Sequence, residues 1–150
     1  MNYLIQLVTA FLGSLGFAAI FNIKKDKLLP AACGGLLSWS VYLLVGLAMN
    51  NDTVSTFVAS MAFTVYAEIM ARVKKTPATL FLVPATIPLI PGASLYTTMR
   101  YAMQGETDAC IRQAEYTLLL AIAIACGILC VMTIWTIIQT LTRSEIMRRR

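Results

Sequence analysis

The sequence has 150 residues, of which 59% are hydrophobic and 13% are charged, and its formal net charge is +5. Soluble domains have about a quarter of their residues charged, so this composition excludes an ordinary soluble domain and favours a membrane protein. The chain has no histidine, which excludes Ser-His-Asp and Cys-His catalytic sites and metal sites with histidine ligands.

We predict an all-α integral membrane protein whose five transmembrane helices form a single domain over residues 1–150. A bilayer core about 30 Å thick needs roughly 20 apolar residues per helix, and the chain contains five runs of about that length that are nearly free of charge. A soluble helical bundle would need polar helix faces, and none repeats through a whole run. The predicted helices cover residues 2–23, 28–50, 53–71, 77–103 and 115–142, with 104–115 as a polar loop.

The basic residues predict the orientation of these helices. If five helices cross the membrane in succession, one side carries most of the basic residues: the lysines at 24–27, the basic residues at 72–75 and the arginines from 143 onward. Only Arg100 and Arg112 fall on the other side. Under the positive-inside rule the N-terminus is outside and the C-terminus is cytoplasmic. Since no basic domain exists, we expect contact with the lipid bilayer and no nucleic-acid partner.

The third predicted helix has polar residues at steps of four. This row consists of Thr56, Ser60, Thr64, Glu68 and Arg72, and it could face one cavity. Two interpretations of Glu68 remain open. It forms an i, i+4 ion pair with Arg72 near the membrane interface, or it accepts a proton or pairs with a substrate ammonium group, as acids inside membranes often do.

The fourth predicted helix contains Pro84, Pro88 and Pro91, followed by Gly92. Each proline removes a backbone donor and costs roughly 3 kcal/mol in a helix interior, while Gly92 permits the dihedral angles of a break. We therefore expect the helix to break at Pro88–Pro91–Gly92, near the bilayer midplane. Broken helices at the midplane form substrate sites in secondary transporters. The alternative is a kink that only aids packing.

The half-helix after the break provides further candidates. We expect it to begin at Ala93 or Ser94 and to present free N–H groups and the positive end of its dipole to a carboxylate. Arg100 either snorkels to lipid headgroups or attracts anions along the pathway. The polar face of this half-helix consists of Ser94, Thr97, Thr98 and Tyr101.

Three segments are similar to a known family: STFVASM (55–61), AEIMARVKKTP (67–77) and IPLIPGASLYTTM (87–99). The most specific pattern within them is P-x-x-P-G-x-S-x-Y, formed by Pro88, Pro91, Gly92, Ser94 and Tyr96. Together these segments resemble the threonine/serine exporter family, specifically the short membrane subunit of its split, two-component form. The resemblance implies a proton-driven secondary exporter of small carboxylate metabolites. It also implies a larger homologous partner subunit with a cytoplasmic domain.

We therefore expect a multi-pass protein of the cell (inner) membrane that is not an enzyme and that exports threonine and serine with this larger subunit. A homo-oligomer is a further option, and we expect no cofactor and no metal. Two alternatives stay open: a subunit of a dicarboxylate (succinate) exporter, and a non-conducting structural subunit of a membrane complex. The candidate pathway residues are Pro88, Pro91, Gly92, Ser94, Tyr96, Thr97, Thr98, Tyr101, Ser60 and Thr64. Glu68 and Arg72 are candidates for proton coupling or an ion pair, and Arg100 for anion attraction.

Overall fold

The computed structural model describes residues 2–148, with side chains up to residue 141, as helices joined by short turns. Four helices are long and apolar enough to cross a bilayer, and a bent pair makes a fifth candidate if it is one span. The predicted all-α membrane fold is therefore confirmed, with four to five candidate spans. The helices are α1 (Tyr3–Ile20), α2 (Lys25–Met49), α3 (Asp52–Val73), α4 (Thr79–Thr86), α5 (Gly92–Gln104) and α6 (Thr107–Arg148).

The predicted orientation of the chain stays a prediction. Part of it depends on the arginines of the C-terminal tail. Of these, Arg149 and Arg150 lie outside the described residues, and Arg143 and Arg148 lie beyond the described side chains.

Two asparagines build the turn between α2 and α3. Asn50 takes the left-handed conformation at the end of α2 (φ 47°, ψ 37°), which asparagine tolerates better than most residues. Asn51 caps α3, because its side-chain oxygen accepts hydrogen bonds from the backbone N–H groups of Thr53 and Val54 at 3.0 and 3.2 Å. This cap places Asp52 in the first turn of α3, close to the C-terminal end of α2.

Small residues allow the helices to approach one another closely. α1 packs on α2, α2 on α3, and α3 on α6. Gly35 of α2 leaves room for the side chain of Ser14, and Gly127 of α6 leaves room for Ser60. A Cβ atom at Gly127 would also lie 2.9 Å from the carbonyl oxygen of Phe57. Such contacts are typical of helices that associate in membranes.

The two parts of the broken helix have different neighbours. α4, extended by a 3-10 turn over Ile87–Leu89, packs against α2 and α3 and buries Phe81 and Ala85 completely. α5 packs mainly against α6, and none of its residues is buried. The axes of the two parts differ by 52°. The predicted break is therefore confirmed.

The backbone at the break follows the proline rules only in part. Ile90 is extended (φ −59°, ψ 124°), as expected before a proline. Ile87 also precedes a proline but stays helical (φ −50°, ψ −48°), and its carbonyl accepts a hydrogen bond from the Ile90 N–H at 3.3 Å. At Pro91 the chain makes a tight turn in which the Gly92 N–H donates to the Ile90 carbonyl at 2.7 Å. α5 consequently begins at Gly92, one residue earlier than expected.

The start of α6 corrects a predicted boundary. We predict a loop over residues 104–115, but α6 already begins at Thr107. The 42 residues of α6 extend about 60 Å, which is twice the thickness of a bilayer core. Hydropathy detects only the apolar part of such a helix, so its polar beginning is assigned to a loop. Asp108 in its first turn interacts favourably with the helix dipole. The polar first turns of α6 run beside α5 and bring Gln113 to the break.

Candidate functional site

A cavity of about 400 Å³ lies where the broken helix meets α2, α3 and α6. Its volume falls within the range of about 300–1,000 Å³ that is usual for small-molecule sites. The break itself forms the longest continuous part of the wall, residues 88–94. The remaining wall residues are Trp39 and Tyr42 of α2, Thr56 of α3, Thr97 of α5, and Gln113, Tyr116 and Leu120 of α6.

The start of α5 contributes backbone donors to this wall. The Leu95 N–H donates to the Pro91 carbonyl at 2.9 Å and so closes the first turn. Ala93 and Ser94 line the cavity, and neither backbone N–H has a hydrogen-bond partner among the described residues. Free N–H groups at the positive end of a helix dipole suit an anionic group such as a carboxylate.

A network of hydroxyl groups attaches α5 to α6 beside the cavity. The Ser94 hydroxyl lies 2.6 Å from the Thr117 hydroxyl and accepts a hydrogen bond from Gln113 Nε2 at 2.7 Å. The Thr98 hydroxyl donates to the Ser94 carbonyl at 3.0 Å and lies 3.4 Å from the Thr117 hydroxyl. The polar face predicted for the half-helix is therefore used partly to hold α5 against α6.

One carboxylate binds both tyrosines of the wall. The Tyr42 hydroxyl donates to Asp52 Oδ1 at 3.0 Å, and the Tyr116 hydroxyl donates to Asp52 Oδ2 at 2.6 Å. Because the three residues come from α2, α6 and α3, the carboxylate connects three helices. The ring of Tyr42 also stacks on Trp39, with ring centroids 4.9 Å apart. We call Tyr42, Asp52 and Tyr116 the tyrosine–aspartate cluster.

The structure brings only part of the predicted pathway into the cavity wall. Thr98 lies behind Ser94 in the hydroxyl network. Tyr96 has 69% of its surface exposed and is not a wall residue. Arg100 is exposed and lies over the ring of Tyr101, 5.3 Å from its centroid, and neither residue lines the cavity. The predicted residues found in the wall are Pro88, Pro91, Gly92, Ser94 and Thr97.

Ser60 and Thr64 lie outside the cavity wall, which corrects the expectation that the polar row of α3 faces one cavity. Both are fully buried, and their hydroxyls donate to the carbonyls of Phe57 and Ser60 at 2.7 and 2.6 Å. Steps of four residues rotate gradually around a helix of 3.6 residues per turn. Thr56 therefore reaches the cavity, whereas Ser60 packs against Gly127 of α6.

Glu68 and Arg72 form the predicted i, i+4 ion pair. Arg72 Nη1 donates to Glu68 Oε2 at 2.9 Å and to the Glu68 carbonyl at 2.6 Å. The guanidinium carbon also lies 4.4 Å from the ring centroid of Trp135, and the side-chain amide of Gln139 faces the same guanidinium. The ion pair thus connects α3 with α6 at a distance from the cavity wall.

Five residues that form or support the wall are not among those predicted from the sequence: Trp39, Tyr42, Asp52, Gln113 and Tyr116. Gln113 and Tyr116 belong to one helix face with Thr117, at i, i+3, i+4, but this signal is hidden when residues 104–115 are assigned to a loop. Asp52 is ten residues from Tyr42 and 64 from Tyr116. No local pattern could have connected it to them.

Several apolar helices, one of them broken beside a cavity, are typical of multi-pass helical membrane proteins of the transporter type. The family model described as Threonine/Serine exporter, ThrE matches residues 6–134. The chain therefore belongs to the threonine/serine exporter family, as the motifs of its third and fourth predicted helices indicate. No solved structure matches the chain.

Proposed function

We propose that the chain is the membrane subunit of a proton-coupled secondary exporter of small carboxylate metabolites, with threonine and serine as its substrates. One observation carries the proposal: the unpaired N–H groups of Ala93 and Ser94 lie in the wall of the cavity at the break. A carboxylate at this place receives charge-assisted hydrogen bonds and a favourable interaction with the helix dipole. Secondary transporters commonly bind anionic groups at the N-terminal ends of broken helices.

The proposal includes a larger homologous subunit in the cell membrane that completes the transport pathway. The motifs of the chain resemble the short subunit of a two-component exporter. The helices also leave room for such a partner, because α6 exposes between 48% and 62% of the surface of Leu118, Ile122 and Leu129. An apolar face of this kind suits either lipid or the helices of another subunit.

We assign proton coupling to Glu68. Among the described acidic side chains it is the one that is not exposed, with 14% of its side chain accessible. Acids held within membrane helices often carry protons in transporters. Its partner Arg72 forms the ion pair that binding of a proton to Glu68 would weaken.

The substitution Gly92→Leu tests the site. Gly92 lines the cavity, and a Cβ atom there meets no atom within 4 Å, so a leucine side chain fits at the cavity wall without displacing the backbone. We expect efflux of threonine and serine to fall to the level of a strain that lacks the gene, with the amount of protein in the membrane unchanged. Efflux is measured in cells that have the substitution at the native locus, so that any partner subunit is present.

Gly16→Leu is the matched control. Gly16 is an exposed helical glycine whose Cβ would also meet no atom within 4 Å, but it lies on α1 and outside the cavity wall. Normal efflux is expected for this variant. Normal efflux from Gly92→Leu would refute the assignment of the site.

A further inference from the structure

We infer that Asp52, acting through Tyr42 and Tyr116, makes one wall of the cavity selective for a substrate ammonium group. The inference rests on the proposed function, because it concerns the other end of a substrate whose carboxylate meets the start of α5. Asp52 is a positioning residue in this arrangement, and the two tyrosine oxygens are the groups that contact the substrate. The tyrosine–aspartate cluster therefore decides between an amino acid and a dicarboxylate.

The first step concerns the protons of the two hydroxyl groups. A tyrosine hydroxyl has one proton to donate and accepts hydrogen bonds through its lone pairs. Tyr42 and Tyr116 both donate that proton to Asp52, at 3.0 and 2.6 Å. Both tyrosines line the cavity, so their oxygens are available there only as acceptors. The Asp52 carboxylate, which is exposed on its other side, strengthens this acceptor character through charge-assisted hydrogen bonds.

The second step concerns the other charges of the molecule. The cavity wall itself contains no charged side chain within the described part of the chain. Glu68 is paired with Arg72, and Arg100 lies over the ring of Tyr101, so neither supplies a charge to the wall. Asp52 is bonded directly to two wall residues, and its negative charge therefore acts on the cavity.

The third step combines the two kinds of wall. The backbone N–H groups of Ala93 and Ser94 are donors, whereas the tyrosine oxygens are acceptors. A zwitterionic amino acid presents a carboxylate to the donors and an ammonium group, with three donors of its own, to the acceptors. A dicarboxylate would bring its second negative charge towards Asp52 and find acceptors only, which is repulsive.

The test is substrate competition in membrane vesicles from cells that have each variant at the native locus. Exchange of labelled threonine, and separately of labelled succinate, is measured against unlabelled serine, 3-hydroxypropionate and succinate. The compound 3-hydroxypropionate is serine without its ammonium group. In the unaltered protein we expect serine to compete at a concentration at least about tenfold lower than the other two, because a hydrogen bond to a charged group contributes about that factor.

The decisive variant is Asp52→Asn, which removes the charge but keeps the size of the side chain. We expect it to abolish the preference for serine over 3-hydroxypropionate through weaker competition by serine, while competition by 3-hydroxypropionate is unchanged. Asp52→Glu is expected to restore the preference. Tyr42→Phe and Tyr116→Phe keep Asp52, and each is expected to lower the preference for serine over 3-hydroxypropionate. These two variants replace Asp52→Asn in the test if that variant does not reach the membrane.

The chain offers matched controls for both kinds of substitution. Asp108→Asn removes a carboxylate from the first turn of α6, as Asp52→Asn does from α3, but no hydrogen bond among the described residues joins Asp108 to the cavity wall. Tyr66→Phe removes a hydroxyl that donates to the Pro30 carbonyl at 2.7 Å, also outside the wall. Both controls are expected to keep the preference for serine.

The outcomes separate the inference from the proposed function. If Asp52→Asn weakens competition by serine and 3-hydroxypropionate equally, or changes neither, the inference is overturned and the exporter proposal stands. If succinate competes better than serine in the unaltered protein, the inference is overturned and the dicarboxylate alternative is selected. If the vesicles exchange neither threonine nor succinate, the proposed function itself is contradicted.

Discussion

At the scale of single residues, the ion pair of Glu68 and Arg72 has contacts on two helices. Arg72 binds the Glu68 carboxylate and carbonyl on α3 and lies against Trp135 of α6. Protonation of Glu68 would remove one of these interactions and leave the aromatic contact in place. A change of protonation at this residue therefore alters an interaction within α3, at the same guanidinium group that contacts α6.

Glu68→Gln tests this role in proton coupling. The substitution keeps the size of the side chain but removes its titratable proton. We expect efflux driven by a pH gradient to fall to the level of the deletion strain. Counterflow without a pH gradient should continue, because it needs no net proton movement. Both assays are made with the same vesicles, and Glu106→Gln, at an exposed position, is the control.

The two assays also identify a purely structural role. An equal loss of counterflow and of pH-driven efflux in Glu68→Gln would show that the residue supports folding and not coupling. Normal pH-driven efflux would contradict the assignment of the proton to Glu68.

The sequence predicts single residues well where a local backbone rule identifies them. Pro91 lacks a backbone donor and Gly92 permits unusual dihedral angles, so their succession after Pro88 predicts a break, and Ser94 follows at a fixed distance. Asp52 is different, because its role depends on contacts with two tyrosines on other helices. Contacts between distant helices leave no periodic pattern in one sequence, so Asp52 could not have been predicted.

At the scale of elements, the interruption between α4 and α5 depends on the missing backbone donor of Pro91. Pro91→Ala supplies an N–H group that can donate to the Ile87 carbonyl, four residues earlier, and so extend α-helical bonding through the break. We expect a bend smaller than the 52° of the unaltered protein and reduced export, with normal membrane insertion. Spin labels at Val83 and Met99, both partly exposed, report the bend as a change of distance.

Pro77→Ala is the control for this experiment, because Pro77 is exposed and precedes α4. Its spin-label distance and its export should match those of the unaltered protein. An unchanged distance in Pro91→Ala would contradict the claim that this residue maintains the break.

Element boundaries are predicted less well than the existence of the elements. The apolar part of α6 is evident from hydropathy, but its polar beginning at Thr107 is not. The helical conformation of Ile87 likewise differs from the local preference before a proline, because α4 and the 3-10 turn are packed against α2. Tertiary packing overrides local preference in both regions, and a single sequence does not display that packing.

At the scale of the whole molecule, the distribution of basic residues predicts which side of the membrane each turn faces. The turn before α2 is expected in the cytoplasm and the turn between α5 and α6 outside. Single cysteines at Lys25 and Glu106, both exposed, are introduced into a variant without the four native cysteines. A membrane-impermeant thiol reagent should label the cysteine at position 106 in intact cells, and that at position 25 only after permeabilisation.

The opposite labelling pattern would contradict the orientation and would place Asp52 towards the cytoplasm. The distribution of apolar runs along the chain predicts the all-helical fold and the approximate number of spans. It does not predict which helices are neighbours, because these contacts depend on fitted pairs such as Gly127 with Ser60 and Gly35 with Ser14.

The different neighbours of α4 and α5 have a mechanical consequence. α4 is held by α2 and α3, and α5 is held by α6, so the two residues Ile90 and Pro91 join two separately supported rods. If the separation between α6 and α2 changes, α5 rotates relative to α4 about Ile90 and Pro91. The backbone N–H groups of Ala93 and Ser94 lie directly after these two residues. One displacement of α6 would then change both the width of the cavity and the hydrogen bonds to the bound substrate. Opening of the cavity and release of the substrate would therefore occur together.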